Sequence, residues 1–153
     1  QRIKLDRGIV LLDTPGVLWP KLENQHGGFR LAITGAIKET AISNEDIALY
    51  AVAYLRDAYP NYLLDRYQLS ELSPDDETLL SEIGSQRGCL RAGGRVDLER
   101  AAKIVLTELR AGTLGQLTLE TPEMMEQELI EMADLKEKTQ AKKEAKLAKK
   151  QSR

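Results

Sequence analysis

Residues 9–16, Ile-Val-Leu-Leu-Asp-Thr-Pro-Gly, limit the possible folds of this chain more than any other stretch. Their four apolar residues, 9–12, predict a strand that is buried on both faces, as in a parallel sheet covered by helices. The strand leads directly into Asp13 and a Thr-Pro-Gly turn. A carboxylate at the carboxyl end of such a strand can hold Mg²⁺, usually through water, because this hard ion prefers oxygen ligands. The alternative is a strand followed by an ordinary Asp/Pro/Gly turn.

The order Asp13, Thr14, Pro15, Gly16 after a hydrophobic strand resembles the third motif of GTPases, which opens switch II. On this interpretation Asp13 holds the metal ion, and Gly16 can bring its backbone N–H close to a γ-phosphate because it has no Cβ. Thr14 and Pro15 shape the turn that contacts the nucleotide. In Ras-like GTPases a Gln follows this Gly and orients the attacking water. Val17 cannot do so, which predicts either slow GTP hydrolysis or a catalytic group from elsewhere.

Two further GTPase motifs are absent from the sequence. There is no G-x-x-x-x-G-K-[ST] phosphate loop, and none of Asn24, Asn44 and Asn61 is followed by Lys, so no guanine-reading Asn-Lys-x-Asp lies downstream. Either the match is false, or the GTPase motifs are circularly permuted and this chain is the last part of one. The start at Gln1 rather than Met favours a fragment.

Four blocks of sequence bear on these two interpretations. They are Asp13–Pro20 (DTPGVLWP), Leu31–Lys38 (LAITGAIK), Arg87–Leu90 (RGCL) with Gly93-Gly94, and Leu114–Glu120 (LGQLTLE). Together and in this order they resemble the YlqF/YawG family of circularly permuted GTPases, which act in ribosome biogenesis. In that family a hydrophobic residue replaces the catalytic Gln, as Val17 does here. The family's proposed catalytic His lies near its N-terminus, and His26, the single histidine of this chain, does not match it.

The resemblance implies the end piece of a circularly permuted α/β P-loop GTPase followed by an all-α C-terminal domain, in a chain that is mostly α. Residues 1–40 would end the GTPase domain, 41–120 would form a helical RNA- or ribosome-binding domain, and 121–153 a charged tail, helical or disordered. The implied function is GTP hydrolysis, with GTP and Mg²⁺, during late assembly of the large (50S) ribosomal subunit. The implied partners are the subunit precursor and its rRNA, bound by a monomer. The 153-residue chain alone is expected to be inactive.

Charge is distributed unevenly along the chain. The net charge is −2, yet residues 138–153 carry a net +6, which leaves −8 for the remainder. Lysines in this tail could bind phosphates and release counterions, or they could only keep a disordered tail solvated. The candidates are Lys142, Lys143, Lys146, Lys149 and Lys150.

A second group of candidates lies in a glycine-rich stretch. Arg87, Arg91 and Arg95 are close to Gly88 and the pair at 93–94, where small residues let a phosphate backbone approach and arginine forks suit phosphate geometry. The alternative is three solvated arginines on an acidic body. The resemblance favours RNA, since the family's helical domain contacts rRNA.

Cysteine content and hydropathy bear on the compartment. A single cysteine predicts a reducing, cytoplasmic environment. No apolar run approaches the roughly 20 residues of a membrane span, so no membrane role is expected. The alternatives to a GTPase are a non-enzymatic RNA- or ribosome-binding helical module and a regulatory domain whose acidic body docks a protein.

Local patterns predict the elements. A loop with Gly8 between two apolar runs predicts a hairpin, and capping residues predict most helix starts. The expected elements are a mobile loop at 20–28, helices at 29–39, from Ser43 to Pro60, from Asn61 to 69, from Ser73-Pro74 to 84 and at 98–111 with Asp97 as cap, and an extended piece at 114–120.

Overall fold

The computed structural model describes residues 2–4, 8–12, 24–37 and 42–151. Helices dominate this part, which confirms the expectation of a mostly helical chain. None of the described helices combines the length and the apolar composition that crossing a membrane requires. The elements are β1 Arg2–Lys4, β2 Val10–Leu12, α1 Gln25–Ile33, α2 Asn44–Ala58, α3 Pro60–Tyr67, α4 Asp76–Gln86, α5 Leu98–Arg110 and α6 Pro122–Gln151.

The two strands form the predicted hairpin. They pair antiparallel, with Arg2 opposite Leu12 and Lys4 opposite Val10. The expected burial of residues 9–12 on both faces was wrong for the described part of the chain, because there the sheet has only these two strands and residues 9–12 are at least half exposed. A two-stranded hairpin has no neighbouring strands or covering helices to bury its side chains.

The hydrophobic core lies between α2, α4 and α5, with α1 and α3 packed at its edge. α2 contributes Ile47, Ala51, Val52 and Leu55, each at most 1% exposed, because these residues recur along one side of the helix. α1 lies within residues 1–40 of the predicted division, yet it adds Ala32 and Ile33 to the same core. The division of the chain at residue 40 itself stays a prediction.

Local capping explains where several helices begin. Ser43 accepts a hydrogen bond from the Asp46 backbone N–H at 3.0 Å, and Asp97 accepts one from the Arg100 N–H, so both predicted caps are confirmed. Asn24 caps α1 through the backbone N–H groups of His26 and Gly27. The predicted mobile loop was therefore wrong for residues 24–28, which belong to this cap and the first turn of α1.

Two other helix starts also differ from the prediction. Pro60 is the first residue of α3, where its missing N–H costs nothing, so Asn61 is not the cap. In α4 the cap is Asp75 rather than Ser73, because the Asp75 carboxylate accepts from the Thr78 backbone N–H at 2.8 Å. α5 ends at Arg110, with Ala111 as its C-cap and Gly112 following at φ +70°.

α6 is the long helix at the end of the chain. Among its residues whose exposure the structure describes, the buried or half-buried ones lie in the first three turns, where Glu128 is buried and Met124, Met125 and Met132 are half-buried. Residues 133–142 are all exposed. The first part of α6 therefore docks on the body, and the later part extends away from it.

Candidate functional site

The predicted nucleotide and metal site at Asp13, Thr14, Pro15 and Gly16, and the adjacent Val17, lies outside the described residues. Its geometry therefore stays a prediction. Within the part of the chain that the structure does describe, no three or more His, Cys, Asp or Glu side chains are grouped so that they could hold a metal ion.

The second predicted site, the loop after α4, is a tight turn stabilised by its own backbone. The Arg91 N–H donates to the Arg95 carbonyl at 2.8 Å, and Leu90 and Val96 form an isolated bridge. Gly93 and Gly94 adopt φ of +89° and +77°, which favour glycine, so the turn needs both. The loop thus holds two arginines at its two ends.

Both arginines of this loop are open to solvent. Arg91 is 60% exposed and donates from Nη2 to Asp97 Oδ1 at 2.9 Å, while Arg95 is exposed. The Arg91 hydrogen bond, followed by the one from the Arg100 backbone N–H, lowers the pKa of Asp97 to about 2. Asp97 therefore stays charged at neutral pH and orients Arg91 at the start of α5.

Arg87 has a different environment from the other two predicted arginines. It is 29% exposed, donates from Nη2 to Glu108 Oε1 at 2.7 Å, and lies over the Tyr67 ring with its Cζ 5.2 Å from the ring centroid. Arg66, which sequence reasoning missed, donates to the same carboxylate from Nη2 at 2.7 Å and from Nε at 3.1 Å. Two guanidinium groups thus share one acid.

Burial alone would raise the pKa of Glu108, but the hydrogen bonds from Arg66 and Arg87 outweigh it and the pKa is lowered. The carboxylate is therefore ionised at neutral pH. Glu108 and Asp97 are both positioned by α5, eleven residues apart. Asp97 is the N-cap of α5 and Glu108 lies in its last turn, so the two acids are roughly 16 Å apart along the helix axis.

We call Arg66, Arg87, Arg91 and Arg95 the α5 arginine face, because carboxylates positioned by α5 hold three of them and the fourth lies in the same loop as Arg91. The structure thus brings two of the three predicted arginines, Arg87 and Arg91, to carboxylates positioned by α5, and it adds Arg66. No sequence signal pointed to Arg66, because its partner is 42 residues away along the chain.

The predicted tail lysines lie in α6. Lys142 is exposed, as expected for a charged residue in the part of α6 beyond the docked turns. Lys143, Lys146, Lys149 and Lys150 belong to the same helix, and their side chains are outside the described part of the structure. Their role as phosphate contacts stays a prediction.

Three tyrosines bind the backbone of residues 114–120, one of the four sequence blocks. The hydroxyls of Tyr54 and Tyr62 donate to the carbonyls of Thr118 at 2.5 Å and Gln116 at 2.9 Å, and the Tyr59 hydroxyl accepts from the Thr118 N–H at 2.9 Å. These bonds hold a strap, residues 114–120, across α2 and α3; the segment contains a turn at 114 and bends at 116 and 119, so it is not extended throughout as predicted. The strap fixes the position at which α6 begins.

Several curated proteins similar to this chain share one name. Proteins named ribosome biogenesis GTPase A are 44% identical over 137 residues in Bacillus cereus, covering 90% of this chain and 46% of the relative, and 46% identical over 129 residues in Priestia megaterium, covering 84% and 45%. The protein of the same name from Thermotoga maritima is 28% identical over 123 residues, covering 80% and 43%. The chain spans about half the length of these curated relatives. No family model matches it.

Proposed function

Because this chain is homologous to ribosome biogenesis GTPase A over about half the length of that protein, we propose that it is the C-terminal part of a GTPase that acts in assembly of the large ribosomal subunit. The observation that carries the proposal is the 42–46% identity to proteins of that name over 80–90% of the chain. The Asp-Thr-Pro-Gly block and the absence of a downstream guanine-reading motif support a permuted motif order.

In the proposed mechanism Asp13 would hold Mg²⁺, through water, and the backbone N–H of Gly16 would bind the γ-phosphate of GTP. Thr14 and Pro15 would shape the turn between these two residues. Val17 cannot orient a water molecule, so hydrolysis depends on a group outside residues 13–17. Release of the γ-phosphate would then free the segment that follows Gly16.

The proposed contact with rRNA is made by the helical part of the chain. Arg91 and Arg95 are exposed at a glycine turn that lets a phosphate backbone come close, and Arg87 lies next to this loop along the chain. The lysines of α6 add sequence-independent contacts with phosphates. The protein is proposed to act in the cytoplasm as a monomer that binds the precursor of the large subunit.

A second candidate function is a non-enzymatic RNA- or ribosome-binding module. It is favoured by the self-contained packing of α1–α5 around one core, together with the lack of a phosphate loop in the sequence. A regulatory domain that docks a protein on its acidic body is the third candidate. Only the first candidate requires a nucleotide.

Co-sedimentation tests the proposed partner. The 153-residue chain is mixed with purified bacterial large or small ribosomal subunits and centrifuged through a sucrose cushion. We expect the chain to pellet with large subunits and to stay in the supernatant with small subunits. Equal recovery with both, or with neither, would contradict the proposal.

A further inference from the structure

We infer that Arg66 and Arg87, clamped on Glu108, form a second phosphate-binding centre on the α5 arginine face, beside the centre at Arg91 and Arg95. Its ligand is the phosphodiester backbone of RNA. The inference rests on the proposed function and adds a site to it. Nothing in the sequence pattern pointed to Arg66, which lies in α3 rather than in the glycine loop.

The first argument is charge. Two guanidinium groups share a single carboxylate, so the centre keeps a net charge of +1 while Glu108 remains ionised. Arg66 and Arg87 are 35% and 29% exposed, so solvent and ligand reach part of each group. The Nη1 atoms of both arginines donate no hydrogen bond to any residue in the described ranges. Donors therefore remain for a phosphate.

The second argument is preorganisation. Arg66 binds Glu108 through Nε and Nη2 as a two-point fork, and the Nη2 atoms of both arginines lie 2.7 Å from the same Glu108 oxygen. The Arg87 guanidinium also stacks on the Tyr67 ring, with Cζ 5.2 Å from the ring centroid. An arginine that is already fixed loses less side-chain freedom when it binds an anion. The Nη1 group of each fixed guanidinium remains as a donor for a phosphodiester oxygen.

The third argument is the spacing of the two arginine centres. Asp97 at the N-cap and Glu108 in the last turn of α5 are roughly 16 Å apart along the helix axis, so the arginine centres that they hold can contact phosphates of one RNA strand separated by a few nucleotides. Contacts of this kind position the protein on RNA without reading bases. Two spaced phosphate contacts align a strand along one line, which a single contact cannot do.

The test uses three variants of the 153-residue chain and a fluorescein-labelled, mixed-sequence RNA duplex. Anisotropy titrations are run at several salt concentrations between about 50 and 200 mM. For Arg66→Gln we expect the slope of log K against log salt to fall by about 0.7 to 0.9, the value for one phosphate contact. The matched control is Arg56→Gln, since Arg56 is also a half-buried arginine paired with an acid, but that acid is Asp76 at the start of α4 rather than one positioned by α5.

Glu108→Gln separates a phosphate site from a purely structural ion network. Removing the carboxylate charge raises the net charge of the centre, so we expect the duplex to bind roughly fivefold more tightly, even though the fold loses stability. Circular dichroism confirms that each variant is folded.

A wild-type slope in Arg66→Gln, or unchanged or weaker binding by Glu108→Gln, overturns the inference and leaves the proposed function standing. If the wild-type chain shows no salt-dependent RNA binding, the proposed rRNA contact fails instead.

Discussion

Arg30 in α1 and Glu128 in α6 form a buried ion pair although 98 residues separate them along the chain. Their side chains are 6% and 9% exposed, and Arg30 Nη1 donates to Glu128 Oε2 at 3.1 Å while Nη2 donates to Oε1. The Asn24 amide donates to the same Oε2 at 2.6 Å. This cluster ties the first turns of α6 to the helix that follows the predicted switch segment.

Replacing Glu128 with Ala should release the docked part of α6. The substitution leaves the Arg30 charge buried without its main partner, which typically costs about 3 kcal/mol. Urea unfolding gives the decrease in free energy, and hydrogen exchange of residues 122–132 shows whether α6 detaches. Glu126→Ala, at an exposed position of the same helix, is the control and should leave both readouts unchanged.

The same pair predicts how stability depends on pH. The hydrogen bond from Arg30 lowers the pKa of Glu128 below its ordinary 4.5, so the carboxylate stabilises the fold above that pH. This contribution disappears as the pH falls through the lowered value. The difference in unfolding free energy between wild type and Glu128→Gln should therefore be largest at neutral pH and shrink below about pH 4. A difference that stays constant down to about pH 3 would show that the carboxylate charge is irrelevant.

Gly115→Ala should displace the strap. Gly115 has φ +132°, and a Cβ there would lie 2.6 Å from Cζ of Tyr62, so the substitution is both strained and crowded. We expect a decrease of about 1–3 kcal/mol in unfolding free energy. Tyr62→Ala removes the clash but not the strain, so Gly115→Ala should cost less in the Tyr62→Ala background than in the wild-type background. If it costs nothing in the Tyr62→Ala background, the backbone conformation itself is not strained.

The isolated chain should not bind GTP. Its sequence contains no phosphate loop and no guanine-reading motif, so the α- and β-phosphates and the base have no partners. Titration with a fluorescent GTP analogue in the presence of Mg²⁺ should show no saturation in the micromolar range. Micromolar affinity would contradict the permuted GTPase and favour a different nucleotide site.

The α6 lysines should set the salt dependence of RNA binding. Changing Lys142, Lys143, Lys146, Lys149 and Lys150 to Gln should lower the slope of log K against log salt by about 0.7 for each phosphate that is no longer bound. Changing the same five to Arg keeps the charge and serves as the control. If the Gln variant keeps the wild-type slope, the lysines only solvate the helix.

Local features of the fold could be predicted, and features that depend on distant partners could not. Ser43 and Asp97 are recognisable as caps because a cap needs only its own side chain and a backbone N–H a few residues away. Arg30 stands within an apolar run, but its partner lies at residue 128, so no local pattern reveals the pair. For the same reason the sequence predicts Arg87 as a loop arginine like Arg91, while its actual partner, Glu108, lies on another helix.

The length of α6 has a mechanical consequence. Among the α6 residues whose exposure the structure describes, only those in the first three turns are buried or half-buried, so roughly 28 Å of helix, residues 133–151, lies beyond these docked turns. A helix fixed at one end moves as a rigid body about that end. A tilt of about 10° at the docked turns would therefore displace the far end of α6 by about 5 Å. A small shift of α1 would thus move the lysine-rich end over a span comparable to one turn of helix.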